Sequence, residues 1–326
     1  MLTLAAIRTP ERVVDHFAAV HRYGGATRPT ATWFGKGAAL EGLRDPVELA
    51  CLLPLLDGQL DEETLLGRGK GDDRAHRPGL ALMLSAPKSV SLVALAGDDE
   101  RLVAAHDSAV KTALSWLEAE AACTRLRAGG KPHRHPTGCF LAVIVRHELS
   151  RAAEPHLHSR TLPINATLAG SGPWGSLDSM PLYRAAMQVG IHYQQSLAEQ
   201  ALACGYDVCW YDNDTFALAV IPRRLALLFS SRAKAVERRL GEQGLSRATA
   251  NAKQRERATR QAEKAQRPRS IDRQRQHDRQ RAAQAGHDLA ALVARAQQRS
   301  KAPAAAIPAA IAAASTASPP TRATGC

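Results

Sequence analysis

Apolar positions between residues 80 and 97 come in two runs, LALMLS and VSLVALAG, parted by Ser85-Ala86-Pro87-Lys88-Ser89. That spacing predicts a buried strand, a tight turn and the start of a further element. Over 98–129, DDERLVAAHDSAVKTALSWLEAEAACTRLRAG repeats its apolar residues at helical intervals and stops at glycine. One long amphipathic helix is expected there. The run Phe140 to Val145 reads as a strand closing at His147, and PHLHSRTLPIN (155–165) alternates as a second strand. LYRAAMQVGIHYQQSLAEQALACG (182–205) is a second amphipathic helix ending at glycine, and Pro10 opens a short one. KPHRHP (131–136) reads as an exposed loop. The order β, α, β, β, α implies an α+β fold, a sheet with helices packed on one side.

The chain has 326 residues, 45% of them apolar and 23% charged. No run reaches the roughly 18–20 apolar residues of a membrane span, and the opening MLTLAAIRTPERVVDHF meets charge too early for a signal peptide. A cytoplasmic protein with no membrane partner is expected. None of the six cysteines belongs to a CxxC pair, so they are read as ordinary reduced thiols.

Charge is unevenly placed. The net charge is +12, yet between Pro222 and Lys301 alone there are 21 basic and 7 acidic residues. The segment favours helix, with Pro268 as an interruption and Gly241 and Gly244 as helix ends. A basic helical arm of this kind suits nucleic-acid phosphate; the plainer alternative is a solvated helical face. The expected layout is a body over 1–240, the basic arm over 241–300 and a disordered Ala/Pro-rich tail over 301–326.

Candidate chemistry gathers at three histidines. His147 closes one strand, and His156 and His158 lie two apart on the next. On paired antiparallel strands the three imidazoles share a face. Neutral imidazoles suit Zn, Mn, Co or Ni and leave positions open for substrate oxygens. A polar surface is the plainer reading, because His133 and His135 form the same pattern in KPHRHP.

The segments WFGKGAALEGL (33–43), HRPGLALMLSAPKSVSLVALAGDDERLVAAHDSAV (76–110), TGCFLAVIVRHELSRAAEPHLHSR (137–160) and LAEQALACGYDV (197–208) carry more than spacing. They resemble the relaxase domain of MobF-class, TrwC-like conjugative relaxases, members of the His-hydrophobe-His endonucleases. FSSRAKAVE (229–237) continues the resemblance into the basic segment. The resemblance implies a palm-like antiparallel sheet with flanking helices, followed by the basic arm. It further implies strand-specific nicking and rejoining of single-stranded or supercoiled plasmid DNA at a transfer origin. In that chemistry a tyrosine attacks the scissile phosphate, and a divalent metal (Mg, Mn, Zn or Ni) on three histidines polarises it. Lys88, Arg146, Arg151, Arg160 and Arg232 are the expected phosphate contacts, and Trp33 and Trp174 the aromatics available for base stacking.

Three positions depart from the family pattern. Counting eleven and thirteen from His147 gives His158 and then Arg160 instead of a third histidine. Either His147, His156 and His158 form a shifted triad, or two histidines stand beside an arginine and the metal site is weakened or lost. The strand before SAPKSVS holds Ala81 where the family has an aspartate. The first tyrosine pair falls on His16-Phe17, which leaves Tyr23 as the expected nucleophile. No GxxxxGK[ST] phosphate loop is present, so helicase and coupling functions are expected of separate partners. The alternative is a catalytically impaired relaxase fold that binds DNA as a regulator or relic.

Overall fold

The computed structural model describes residues 2–7, 9–10, 13, 31–61, 63–68, 75–170, 172–212, 215–246, 248–261 and 270–301. In chain order the described elements begin with β1 (Leu2–Ile7), β2 (Ala31–Phe34), α1 (Lys36–Leu40), α2 (Leu49–Leu56) and β3 (Gly79–Ser85). α3 (Lys88–Ser91) runs into a π-helical turn over Leu92–Ala96, and α4 (Glu100–Ala121) follows. Next come β4 (Cys123–Ala128), β5 (Lys131–Pro136), β6 (Ala142–Leu149), β7 (Pro155–Pro163), β8 (Thr167–Leu168) and β9 (Trp174–Gly175). The remainder is α5 (Ser179–Ala203), β10 (Val208–Asp212), β11 (Thr215–Leu218), α6 (Arg223–Leu228), α7 (Ser231–Gly241), α8 (Ala252–Gln261), α9 (Ile271–Gln284) and α10 (Leu289–Lys301). No helix among the described residues is long and apolar enough to cross a membrane.

The main sheet has five strands in the order β1-β3-β7-β6-β2, every neighbouring pair antiparallel. Alternation sets its two faces. Leu80, Leu82 and Leu84 of β3, Ala142 and Ile144 of β6 and Leu157 of β7 point to the helical side, where they join Leu102, Leu114 and Leu117 of α4 and Val189, Tyr193 and Leu197 of α5 in the larger core. The opposite residues Val143, Val145 and Leu162 enter a second core with Leu52 and Leu56 of α2. That second core covers only part of its face; beyond Val145 and Leu162 the positions turn to Arg160, His158, His156 and His147.

Two elements differ from the sequence expectation. The helix read over 98–129 ends at Ala121, and Cys123–Ala128 instead pairs with Lys131–Pro136 as a two-stranded ribbon. Gly129 and Gly130, both at positive φ (60° and 79°), form its two-residue turn, a conformation that L-residues resist. The segment KPHRHP, expected as a loop, is therefore its second strand. Within the segment expected as a basic arm over 241–300, Ala282, Leu289, Val293 and Ala296 are buried in the larger core. Charged contacts dock these helices as well. Arg275 reaches Glu148 at 2.7 Å, Arg279 donates to the Ala96 carbonyl, and the Arg281 guanidinium lies 4.4 Å from the centre of the Phe229 ring.

Candidate active site on the β6–β7 hairpin

The hairpin places the histidines by register. His147 of β6 stands directly opposite His158 of β7, and Val145 opposite Arg160. On the other side of β7, Ser85 of β3 faces His158 and Met83 faces Arg160. His156, His158 and Arg160, two residues apart along β7, thus share one face with His147. The imidazoles form a row with His158 in the middle: its ring lies 5.0 Å from that of His147 and 4.5 Å from that of His156, the planes within 19° and 27° of parallel. His158 Nδ1 lies 2.8 Å from the His156 carbonyl. That contact makes Nδ1 the donor and leaves Nε2 with a lone pair. Burial, with positive neighbours, pushes His158 down to about 4 and His156 to about 2, so both rings are neutral near pH 7.

Neutral imidazoles with one oriented nitrogen are the donor chemistry a transition metal takes. The arrangement supplies that chemistry from His147 and His158, while Arg160 puts a permanent cation in the third place. Among the described residues no three His, Cys, Asp or Glu side chains are gathered around one point as metal ligands. A stack of near-parallel rings is the reason: His156 extends the row instead of closing a triangle.

The segment SAPKSVS explains itself at this hairpin. Lys88 Nζ donates to the Pro155 carbonyl at 2.7 Å. Leu157, between the two β7 histidines, donates its N–H to Ser91 Oγ at 3.1 Å and accepts from the Ala86 N–H at 3.0 Å. Ser89 Oγ in turn accepts the Leu218 N–H and so fixes β11. Where β7 runs past β3, the loop and α3 therefore continue its pairing. WFGKG has a comparable role elsewhere: Gly35 (φ 98°) passes so close to the Phe140 carbonyl that a Cβ would lie 2.4 Å from its oxygen.

A cavity of about 530 Å³ opens beside His156, bordered by Met83, Ser85, Lys88, Glu154 and Arg232. Burial lowers Lys88 to about 8. The Arg160 and Arg232 guanidiniums are lowered by burial and then by the nearby Arg151 charge. Three arginines and a lysine therefore raise the potential at this end of the histidine row, as an anion site requires. Arg232 is held by the Thr259 carbonyl at 3.3 Å, and Ser231 N–H and Oγ bind Glu154, so the basic segment forms one wall of the cavity.

The sequence candidates separate into groups. His147, His156, His158, Lys88, Arg151, Arg160 and Arg232 come together at this end of the hairpin. Arg146 does not: it points to the helical side and pairs with Asp107, its side chain only 12% exposed. Trp33 lies opposite Val143, four residues and about 13 Å along β6 from His147. Trp174 is half-buried, its Nε1 donating to Glu41 at 3.0 Å. Tyr23, His16 and Phe17 fall outside the described residues. Ala81 lies two residues before Met83 on the same face of β3 and packs against the second core. Sequence reasoning missed His106, Asp107, Ser91 and Ser159, although the blocks AHDSAV and SAPKSVS marked the first three.

A family model described as TrwC relaxase matches residues 11–285. The multifunctional conjugation protein TraI of Escherichia coli K12 is 32% identical over 216 residues, 64% of this chain and 12% of TraI. A second E. coli TraI is 29% identical over 251 residues, 74% of this chain and 14% of that protein. The chain thus spans a small part of the length of these relatives. Among solved structures, the conjugative relaxase TrwC in complex with oriT DNA, metal-bound, superposes with a TM-score of 0.82 at 28% identity, covering 89% of this chain and all of the other. The metal-free TrwC–oriT complex gives 0.79 at 29% identity, covering 88% and 99%. The chain belongs to the TrwC relaxase family.

Proposed function

We propose that this protein binds single-stranded DNA at a transfer origin and nicks and rejoins one strand through Tyr23. The observation that supports the reading is the hairpin face, where His147 is paired with His158 and the charges of Lys88, Arg151, Arg160 and Arg232 gather beside them. In the reaction the Tyr23 phenol oxygen attacks phosphorus, the bond from phosphorus to the 3′ oxygen breaks, and a 5′-phosphotyrosine and a free 3′ hydroxyl result. The phenolic proton leaves with the 3′ hydroxyl. A phenol with a pKa near ~10 attacks poorly unless the phosphate is neutralised. Lys88, Arg151 and Arg160 supply fixed positive charge for that purpose.

The solved relative TrwC holds a metal in two of its oriT complexes, one of them copper-bound. A divalent ion would be held here by His147 and His158, with Arg160 in the place of a third ligand, and when bound would act as a Lewis acid on the phosphate. Ala81 leaves no carboxylate two residues from Met83 to activate the tyrosine, so the positive face bears more of the task.

A denaturing gel with labelled single strands tiled across the protein's own plasmid tests the reading. A covalent band present in the parent and absent in Tyr23→Phe, with native-gel binding unchanged, is expected. Salt-sensitive binding without a covalent band on any tile would leave a DNA-binding relaxase fold that does not cut.

A further inference from the structure

The hairpin has a back as well as a front. The rung after His147–His158 is Arg146–Ser159, whose side chains point into the helical layer. Two consecutive residues of α4 seize that rung. Asp107 pairs with Arg146, and His106 Nε2 lies 2.8 Å from Ser159 Oγ. His106 Nδ1 is in turn 2.7 Å from the Tyr193 hydroxyl of α5, the two rings meeting edge to face at 86°. His106, Ser159 and Tyr193 are all fully buried.

The location of this clamp matters more than its strength. Pairing of β6 with β7 is regular up to His147–His158 and then shifts between His147 and Leu149. A register irregularity of this kind re-aims the side chains beside it, and a slip of one residue would turn every side chain of a strand to the other face. The polar grip thus falls on the rung next to the place where backbone pairing ceases to define the geometry. Apolar residues of the same volume would fill the layer equally well, since a buried polar network gains little net stability over them. What it adds is a single allowed arrangement.

We propose that His106 and Asp107 are positioning residues for His147 and His158, fixing the rung behind them and so the direction in which the two imidazoles face the phosphate. The proposal rests on the reading of that hairpin face as the reacting site. His106 is fully buried, and both residues act through Arg146 and Ser159.

The test compares Asp107→Asn and Ser159→Ala with Leu117→Ala, a core truncation of the same helix that leaves the clamp intact. Ser159→Ala removes one oxygen and keeps the comparison open should Asp107→Asn fail to fold. Long-range proton–nitrogen spectra of the imidazoles read the environments of His147 and His158 without DNA. The rate of covalent attachment at saturating strand, and the strand concentration at half-saturation, read function. Both clamp variants should shift the His147 and His158 signals and lower the saturating rate about tenfold, because small displacements of reacting groups are costly. Half-saturation should stay within about twofold. Leu117→Ala should lower the melting temperature and leave ring signals and rate in place. Unmoved His147 and His158 signals in both clamp variants, or an equal shift in Leu117→Ala, would overturn the proposal. If the parent itself forms no covalent link, the nicking reading fails, and the ring spectra alone still decide whether the clamp positions the histidines.

Discussion

The two faces of one hairpin behave as opposites. Behind it, Arg146 pairs with Asp107, and His106 bridges Ser159 and Tyr193 in the helical layer. In front, three imidazoles stand in a row beside cations, with a cavity at the His156 end. Of the positions expected to depart from the family pattern, Arg160 and Ala81 lie on the front face, and residues 16–17 fall outside the described residues. A site can thus change its charge and ligands while the framework that aims it stays intact, because side chains on alternate positions of a strand answer to different neighbours.

The largest way to break the contrast is from behind. His106→Ala opens a cavity and leaves the Tyr193 hydroxyl and Ser159 Oγ without their partner. A loss of about 3–5 kcal/mol is expected in urea unfolding at pH 7. A matched truncation in front, His156→Ala, should cost under about half of that, since the ring is only partly buried and its position borders open space.

Acid should distinguish the faces next. Burial holds His106 down to about 3 in the folded protein, whereas the unfolded chain protonates near ~6.5. The unfolded state therefore binds the proton first. The stability that His106 contributes is complete above pH ~6.5 and falls as pH drops toward its folded value. Between pH 7 and pH 5 about 2 kcal/mol should disappear. A His106→Gln protein, assayed by urea midpoints at both pH values, should lose that share of the slope.

In front, Arg160→His restores the histidine spacing of the family and removes a cation. Affinity for Mn²⁺ or Ni²⁺ by calorimetry should rise about tenfold or more, the scale on which one ligand or its support changes metal sites, with little change in folding stability. The smallest effect belongs to the exposed pair Arg299–Asp207, 2.7 Å apart at the periphery. Arg299→Ala should cost under ~1 kcal/mol.

Much of the front was legible in sequence and little of the back. The apolar run of β6 ends at His147, and period two puts His156 and His158 on one face of β7. The clamp joins residues 39 and 53 positions apart, and nothing local in AHDSAV says which strand its polar pair will meet. The ribbon Cys123–Pro136 was missed for a different reason. Gly129-Gly130 reads equally as the end of a helix or as a hairpin turn, and Ala121-Ala122 continues a helical pattern into residues that pair as a strand. In the basic segment, charge hid the apolar stripe Ala282, Leu289, Val293 and Ala296, which seats α9 and α10 in the main core.

The proposed function and the proposed clamp together require that a front face carrying Arg160 still react because the back aims it. Covalent attachment to the protein's own transfer-origin strand, titrated with Mn²⁺ and with chelator, tests this most directly when the parent is run beside Arg160→His. A covalent product is expected from the parent, needing more Mn²⁺ than Arg160→His does. A parent that forms no product at any metal concentration, while Arg160→His does, would contradict it and place the whole loss of reactivity on the front face.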